Sequence, residues 1–324
     1  EAGTSAPGTA RYLISFANRL VALRTTEGGA VYKQRGRWTI DGPALTNNNA
    51  DWANTGSGSA DMFDSEDDIQ NGMLSQDTLV VYRERSIYHW NRTGRATAPF
   101  AISLHDSKEG LLAPFTLVDL GGIHFFMGNR NIYLYDRANR KSISDDDHDA
   151  IYFNLNYNAL RRMFAVVNDR HDEVWLFLMK GSDTVVTEVW VWSTYTGKWS
   201  KFAFDGISPR YAGITNVSFA NLSWSAATGP WIDYSRAWVP GDNRVISLGT
   251  AGGDVKQFDG GSADDNGTVI VAVWESKDFD FSTEDIDLSN RLKTLTRVDV
   301  GYISEVALTL LLSVSTDGGV TYSA

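Results

Sequence analysis

Short apolar runs separated by tight polar turns recur along the chain. Tyr12-Leu13-Ile14-Ser15-Phe16 is followed by a turn at Ala17-Asn18 and then by Arg19-Leu20-Val21-Ala22-Leu23. A Gly28-Gly29 turn, Val31-Tyr32, another turn and Trp38-Thr39-Ile40 complete the first group. Connections this short cannot make the crossovers that parallel strands need, so the pattern predicts four strands in an antiparallel meander. The hairpin returns at 77–82 with 87–90, at 122–127 with 132–136, at 173–178 with 188–192, and at 244–249 with 254–260. In each, the first strand is apolar, the second alternates, and the turn is polar. The second strands centre on Tyr32, Tyr88, Tyr133, Trp190 and Val255, which are 56, 45, 57 and 65 residues apart.

An irregular repeat of that length suits one four-stranded blade plus insertions. The expected fold is all-β, an irregular β-propeller of about five or more blades. Runs such as Leu176-Phe177-Leu178-Met179 fit sheets covered on both faces. A β-sandwich, whose strands recur about every 8–12 residues, is the other arrangement this spacing allows. The expected layout is a linker over 1–11, the propeller over 12–265, and a C-terminal β segment over 266–324 that is sandwich-like or closes the ring. Strands are predicted there at 268–274, 291–302 and 305–315. One short helix fits 158–164.

Composition narrows the function. Gly is 29, Pro 7, and aromatics make up 12%, as in a turn-rich protein of many strands. There is no cysteine, which excludes disulfides, thiolate nucleophiles and thiolate-ligated metals. Lys and Arg number 29 against 40 Asp and Glu, a net charge of −11. That balance argues against general binding to a phosphate backbone and leaves room only for a local DNA contact. No apolar run reaches the roughly 18 residues of a membrane helix, so no membrane insertion is expected. The first residues carry no basic or apolar region of the kind that marks a secretory leader.

The most metal-like feature is Asp145-Asp146-Asp147-His148-Asp149. It lacks the spaced ligands, glycine and terminal Glu of a calcium loop and reads as a solvated acidic turn. Glu66-Asp67-Asp68 reads the same way. No nucleophile elbow, phosphate loop, dinucleotide fingerprint or zinc-protease motif occurs. No catalytic, cofactor or metal residue is therefore assigned, no cofactor is expected, and the protein is not expected to be an enzyme. Three basic groups, Arg83/Arg85/Arg92, Arg137/Arg140/Lys141 and Arg161/Arg162, fit exposed turns or a rim that meets an acidic partner. Residues 42–72 are too long and polar for an ordinary connection and read as a functional loop or lid.

The stretch from Arg37 to Trp90 carries a resemblance. Trp38, then Asp51-Trp52, then Asp68-Ile69-Gln70-Asn71-Gly72, then the run from Asp77 through Leu79-Val80-Val81-Tyr82-Arg83-Glu84-Arg85-Ser86-Ile87-Tyr88 resembles a pattern of bacteriophage virion proteins. Val314-Ser315-Thr316-Asp317-Gly318-Gly319-Val320-Thr321-Tyr322 is similar to their Ser-x-Asp-Gly-Gly-x-Thr-aromatic ending, with Tyr in place of Trp. The family is the tail hub of short-tailed phages, also called the packaged-DNA stabilisation or head-completion protein. The resemblance implies a propeller assembled as a ring beneath the portal, closing the channel after DNA packaging and carrying tail parts. Family members are longer at both ends, which implies that part of the ring lies outside this sequence. The motifs are structural in that family, so no catalytic residue carries over.

The expected function is a structural component of a virion at the head–tail interface, assembled in the host cytoplasm. Expected partners are further copies in a homo-oligomeric ring, and portal, adaptor and tail proteins. Expected contact residues are Asp51, Trp52, Asp64, Glu66, Arg83, Arg85, Asp146 and Asp147. Two rivals make different demands. A tail-fibre or spike adhesin needs exposed aromatics, with Trp52, Trp231 and Trp238 as candidates. A glycoside hydrolase needs converging carboxylates, with Asp61, Asp119 and Asp172 as candidates.

Overall fold

The computed structural model describes residues 6–42, 49–64, 66–202, 209–216, 244–250, 252–257, 264–265 and 268–269. The chain divides into two compact units, Glu1–Ile270 and Val271–Ala324. The second unit lies outside the described residues, and with it the strands expected at 291–302 and 305–315, the ending at 314–322, and most of 268–274.

The first unit is a series of small antiparallel sheets in chain order. The first sheet holds β1 (Thr9–Phe16), β2 (Arg19–Glu27), β3 (Ala30–Trp38) and β4 (Gly58–Asp61). The second holds β5 (Ile69–Ser75), β6 (Thr78–Arg83), β7 (Ile87–Arg92) and β8 (Phe100–Asp106). The third holds β9 (Val118–Asp119), β10 (His124–Met127), β11 (Ile132–Tyr135) and β12 (Arg140–Ser142). A short helix α1 (His148–Tyr152) and a 3-10 segment (Tyr157–Arg162) lead to the fourth sheet. That sheet holds β13 (Phe164–Asn168), β14 (Glu173–Leu178), β15 (Glu188–Ser193) and β16 (Trp199–Phe202). A three-stranded sheet follows, of β17 (Pro209–Asn216), β18 (Arg244–Thr250) and β19 (Val255–Gln257), and then a minimal hairpin of β20 (Asp264–Asp265) and β21 (Thr268–Val269).

The turns explain the meanders. Ala17-Asn18 and Gly28-Gly29 all take positive φ, between 51° and 85°, which matches the twist of the strands they join. The strand count of the first sheet is four, as expected, but its make-up differs. Val31-Tyr32 and Trp38 lie on one strand, β3, and the fourth strand β4 arrives only after the polar loop. Strand β1 also begins at Thr9, inside the segment expected to be a linker. The short helix expected at 158–164 is the 3-10 segment, whereas α1 grows out of the acidic turn that was expected to stay irregular.

Period-two alternation on β6 links neighbouring sheets. Leu79 and Val81 pack on one face with Val21, Leu23 and Trp38 of the first sheet. Val80 and Tyr82 pack on the other face with Phe126, Tyr133 and Tyr135 of the third. β10 repeats the device, with Phe126 on one side and Phe125 and Met127 on the other, against β14 and β15. The expected burial of apolar runs on both faces is thus realised by sheets packed face to face in chain order.

The expected β-propeller is corrected. Among the described residues every sheet is open, none is curled or closed, and no apolar cluster joins the last sheets to the first. The observed fold is a series of small open antiparallel sheets. The physical reason is that a recurring hairpin dictates each meander through turn chemistry and alternation, while closure requires contact between distant sheets, which no local pattern encodes.

Packing between the first two sheets is close. Trp38 meets Trp90 edge-on at 5.8 Å between ring centroids, and Phe100 packs against both. A Cβ on Gly36 would fall 2.2 Å from the Trp90 indole. Gly36→Ala is therefore expected to destabilise the protein by about 1–3 kcal/mol in urea unfolding, as overpacking does in a filled core. The conservative exposed change Gly94→Asn, at a turn with positive φ and no neighbour within 4 Å, is expected to shift the midpoint little.

Candidate contact surface

The polar stretch between β3 and β5 is held by arginines. Arg19 is buried and donates to the carbonyls of Thr39 (2.6 Å) and Gly56 (2.7 Å). Burial lowers its pKa, with Asp41 opposing the shift. Arg37 donates to the Trp52 carbonyl at 3.1 Å and pairs with Glu27. Arg35 grips Asp61 with two 2.7 Å bonds and lies over the Tyr32 ring. Alternate positions on β3 therefore send guanidiniums to β4 and to the loop.

The strongest anchor is Arg83 at the end of β6. It is wholly buried, and its Nε and one terminal nitrogen donate to the Asp67 carbonyl at 3.0 and 2.5 Å. The same nitrogen pairs with Asp67 Oδ1 at 3.0 Å. Asp67 Oδ2 accepts from the Arg85 backbone N–H (3.0 Å) and the Ser86 hydroxyl (2.9 Å). Arg83 also donates to the Tyr88 hydroxyl, which in turn donates to Asp64 Oδ2 at 2.5 Å. Burial, with the Asp64 bond added, pushes the Tyr88 pKa up to about 12. Next door, Asp68 pairs with Arg24 at 2.8 Å. Gly110 approaches so closely that a Cβ there would meet the Arg83 carbonyl at 2.2 Å, and Leu111 N–H donates to that carbonyl.

This geometry sorts the expected contact residues. Asp51 and Trp52 are buried, and their carbonyls are taken by Ile40 N–H and by Arg37. Arg83 is buried entirely. Within this chain these three present little side-chain surface and are held by internal bonds. Asp64, Glu66, Arg85 and Asp146 are exposed, and Asp147 is half-buried. Burial, then the neighbouring Asp146, raises the Asp147 pKa.

Arg85 lines a groove of about 260 Å³ with Leu111, Leu112, Pro114, Tyr157 and Arg161. Asp145, Asp146 and Asp149 line an open basin with Arg130 and Asn131. Asn129 belongs to the groove and Arg130 to the basin, so the two meet at the β10–β11 turn. That turn is fixed: Asn129 N–H donates to Glu109 Oε1 and its side-chain amide donates to the Glu84 carbonyl, each at 2.6 Å. Arg161 joins this surface through the 3-10 segment, a combination that residue spacing alone does not encode.

Among the described residues no group of three or more His, Asp or Glu is placed to hold a metal. Asp61 lies on the first sheet, Asp119 on the third and Asp172 in the β13–β14 turn, and Asp61 is occupied by Arg35. Trp231 and Trp238 lie outside the described residues. Among the described residues no helix is long and apolar enough to cross a membrane.

Histidines gather between the second and third sheets. His89 stacks on His105 with centroids 4.2 Å apart and donates to the Tyr135 hydroxyl oxygen (2.7 Å), whose own proton goes to the Arg137 carbonyl. His124 is buried; its Nε2–H donates to the Leu74 carbonyl and its Nδ1 accepts from the Tyr82 hydroxyl, both at 2.9 Å. That pattern uses a neutral ring, because a protonated Nδ1 would leave Tyr82 without its acceptor.

No protein-family model and no curated protein matches the chain. One solved structure that it is similar to is the extracellular domain of a putative one-component system from B. thetaiotaomicron. The identity is 9% and the TM-score 0.34, over 82% of this chain and 35% of that one. A likeness at that level carries no conclusion about fold or function.

Two outcomes follow from the buried groups. Arg83→Met leaves the Asp67 carboxylate buried without its cation and is expected to cost about 3–5 kcal/mol in denaturant unfolding. Adding Asp67→Asn is expected to recover part of that loss, because the two side chains act as a pair. The second outcome concerns acid. Burial, then His105 and Arg137, lowers the His89 pKa from 6.5 to about 4, and burial also lowers that of His124. The unfolded chain then binds more protons between pH 6.5 and 4, so stability is full above 6.5 and falls as pH drops towards 4. Urea unfolding at stepped pH should show that slope, and His89→Gln should flatten it.

Proposed function

We propose that this protein is a structural assembly component of a bacteriophage particle, placed at the head–tail interface, where it binds portal, adaptor or tail proteins. The observation that carries the reading is where the motif residues fall. Ile69, Tyr82, Arg83 and Tyr88 are all buried. Arg83 with Asp67, and Tyr88 with Asp64, fix the end of the polar stretch onto the β6–β7 turn, while Ile69 and Tyr82 pack in the apolar clusters on either side. The segments that resemble virion proteins thus build a framework, in keeping with the structural role that the resemblance implies. A fixed framework with exposed charge at its turns suits binding that must bear load, because little ordering is left to occur on contact.

The partner assay is light scattering of the protein alone and mixed with a purified portal ring of a short-tailed phage. The expected result is a complex whose mass is that of the ring plus several copies of this chain. Two separate species at micromolar concentration, with no shift at low salt, would overturn the reading.

A further inference from the structure

Arg85 and Arg161 are exposed, and among the described residues neither has a carboxylate within ion-pair distance. Glu84 lines the same groove, but its carboxylate accepts from Gln70 Nε2 at 2.8 Å. The groove wall is mixed: Leu112 and Leu160 are partly buried in it, Asn129 and Asn158 line it beside them, and Tyr157 is 61% exposed. Beyond the β10–β11 turn acidic groups outnumber basic ones: Asp146 and Asp149 stand exposed over the basin, with the exposed Arg130 at its edge and His148 Nδ1 2.9 Å from Asp149. The border between the two regions is fixed by the bonds from Asn129 to Glu109 and Glu84.

We propose that two copies of this chain pair through this face, the Arg85/Arg161 groove of each receiving the 145–149 acidic loop of the other. Charge complementarity selects a second copy as the occupant, because the chain carries both halves of the match. Their contiguity selects the symmetry. A surface with its cationic and anionic halves side by side is self-complementary about a two-fold axis, so each contact is made twice and the pair closes. A ring needs the two halves on separate faces. Tyr157 supplies the aromatic anchor of the interface core, and the charged groups steer the encounter and fix the register. The inference builds on the reading of the protein as an assembly component and names the contact between its copies.

Sedimentation equilibrium of the full chain tests it, at low and at 0.5 M salt. The expected wild-type species is a dimer whose affinity falls with salt. R85E/R161E and D146K/D149K change only exposed side chains, and tryptophan fluorescence and near-ultraviolet dichroism confirm that each folds. Each variant is expected to weaken self-association by at least about tenfold. An equal mixture of the two is expected to restore a dimer, since each then meets the opposite charge twice. A wild-type monomer at all concentrations, an assembly larger than two, or a dimer that both variants leave unchanged would overturn the proposal. A dimer that ignores the portal ring keeps this inference and removes the portal reading; a monomer that binds the ring does the reverse.

Discussion

A single buried ion pair, Arg83 with Asp67, holds the base from which the Arg85 side of the groove is built. Its geometry joins three stretches distant in sequence: the end of the polar segment, the β6–β7 turn and the approach of Gly110 and Leu111. A charge buried this deeply is tolerated because nearly every donor and acceptor around it is used. The cost of losing one partner is what holds the arrangement to one conformation. The Arg85 backbone is fixed by Asp67, so the exposed Arg85 side chain projects from a rigid base.

The same strand provides the packing that supports this chemistry. β6 is buried on both faces and passes its alternate residues to the first and third sheets. Its C-terminal residue is the anchor arginine. Packing and electrostatics therefore share one short strand, and the histidine seam between the second and third sheets makes the same region sensitive to acid.

Much of the local structure was legible in the chain. The hairpins expected at 77–90, 122–136 and 173–192 appear where turn chemistry and alternation placed them, as does the one expected at 244–260 as far as residue 257, beyond which it lies outside the described residues, because these signals act within a few residues. Long-range features were not legible. Val31-Tyr32 and Trp38 looked like separate strands because the polar Lys33–Arg37 run lies between them; their charges are in fact satisfied by Glu27, Asp61 and the loop. The polar segment looked like an open loop because the partners of Asp67 and Asp68 lie far along the chain or on another sheet. For the same reason Arg83 looked like a surface residue and proved to be buried. Whether the sheets close into a ring depends on contacts between the first and last of them, and the repeat could not supply that information. Arg161 stands beside Arg85 only because the 3-10 segment folds back against the 111–114 stretch.

The exposed Arg85 rests on a framework locked by Arg83 and Asp67, rather than on a loop that orders when a partner arrives. Hydrogen exchange of the free protein reads this directly at the amides of Glu84, Arg85 and Asn129, whose acceptors are the Asp68 carbonyl, Asp67 Oδ2 and Glu109 Oε1. These amides are expected to be protected to nearly the same degree as those of Val80 and Val81 in β6, because they open only when the sheet does. Exchange at the rate of an unstructured peptide at these three positions, with β6 still protected, would contradict it.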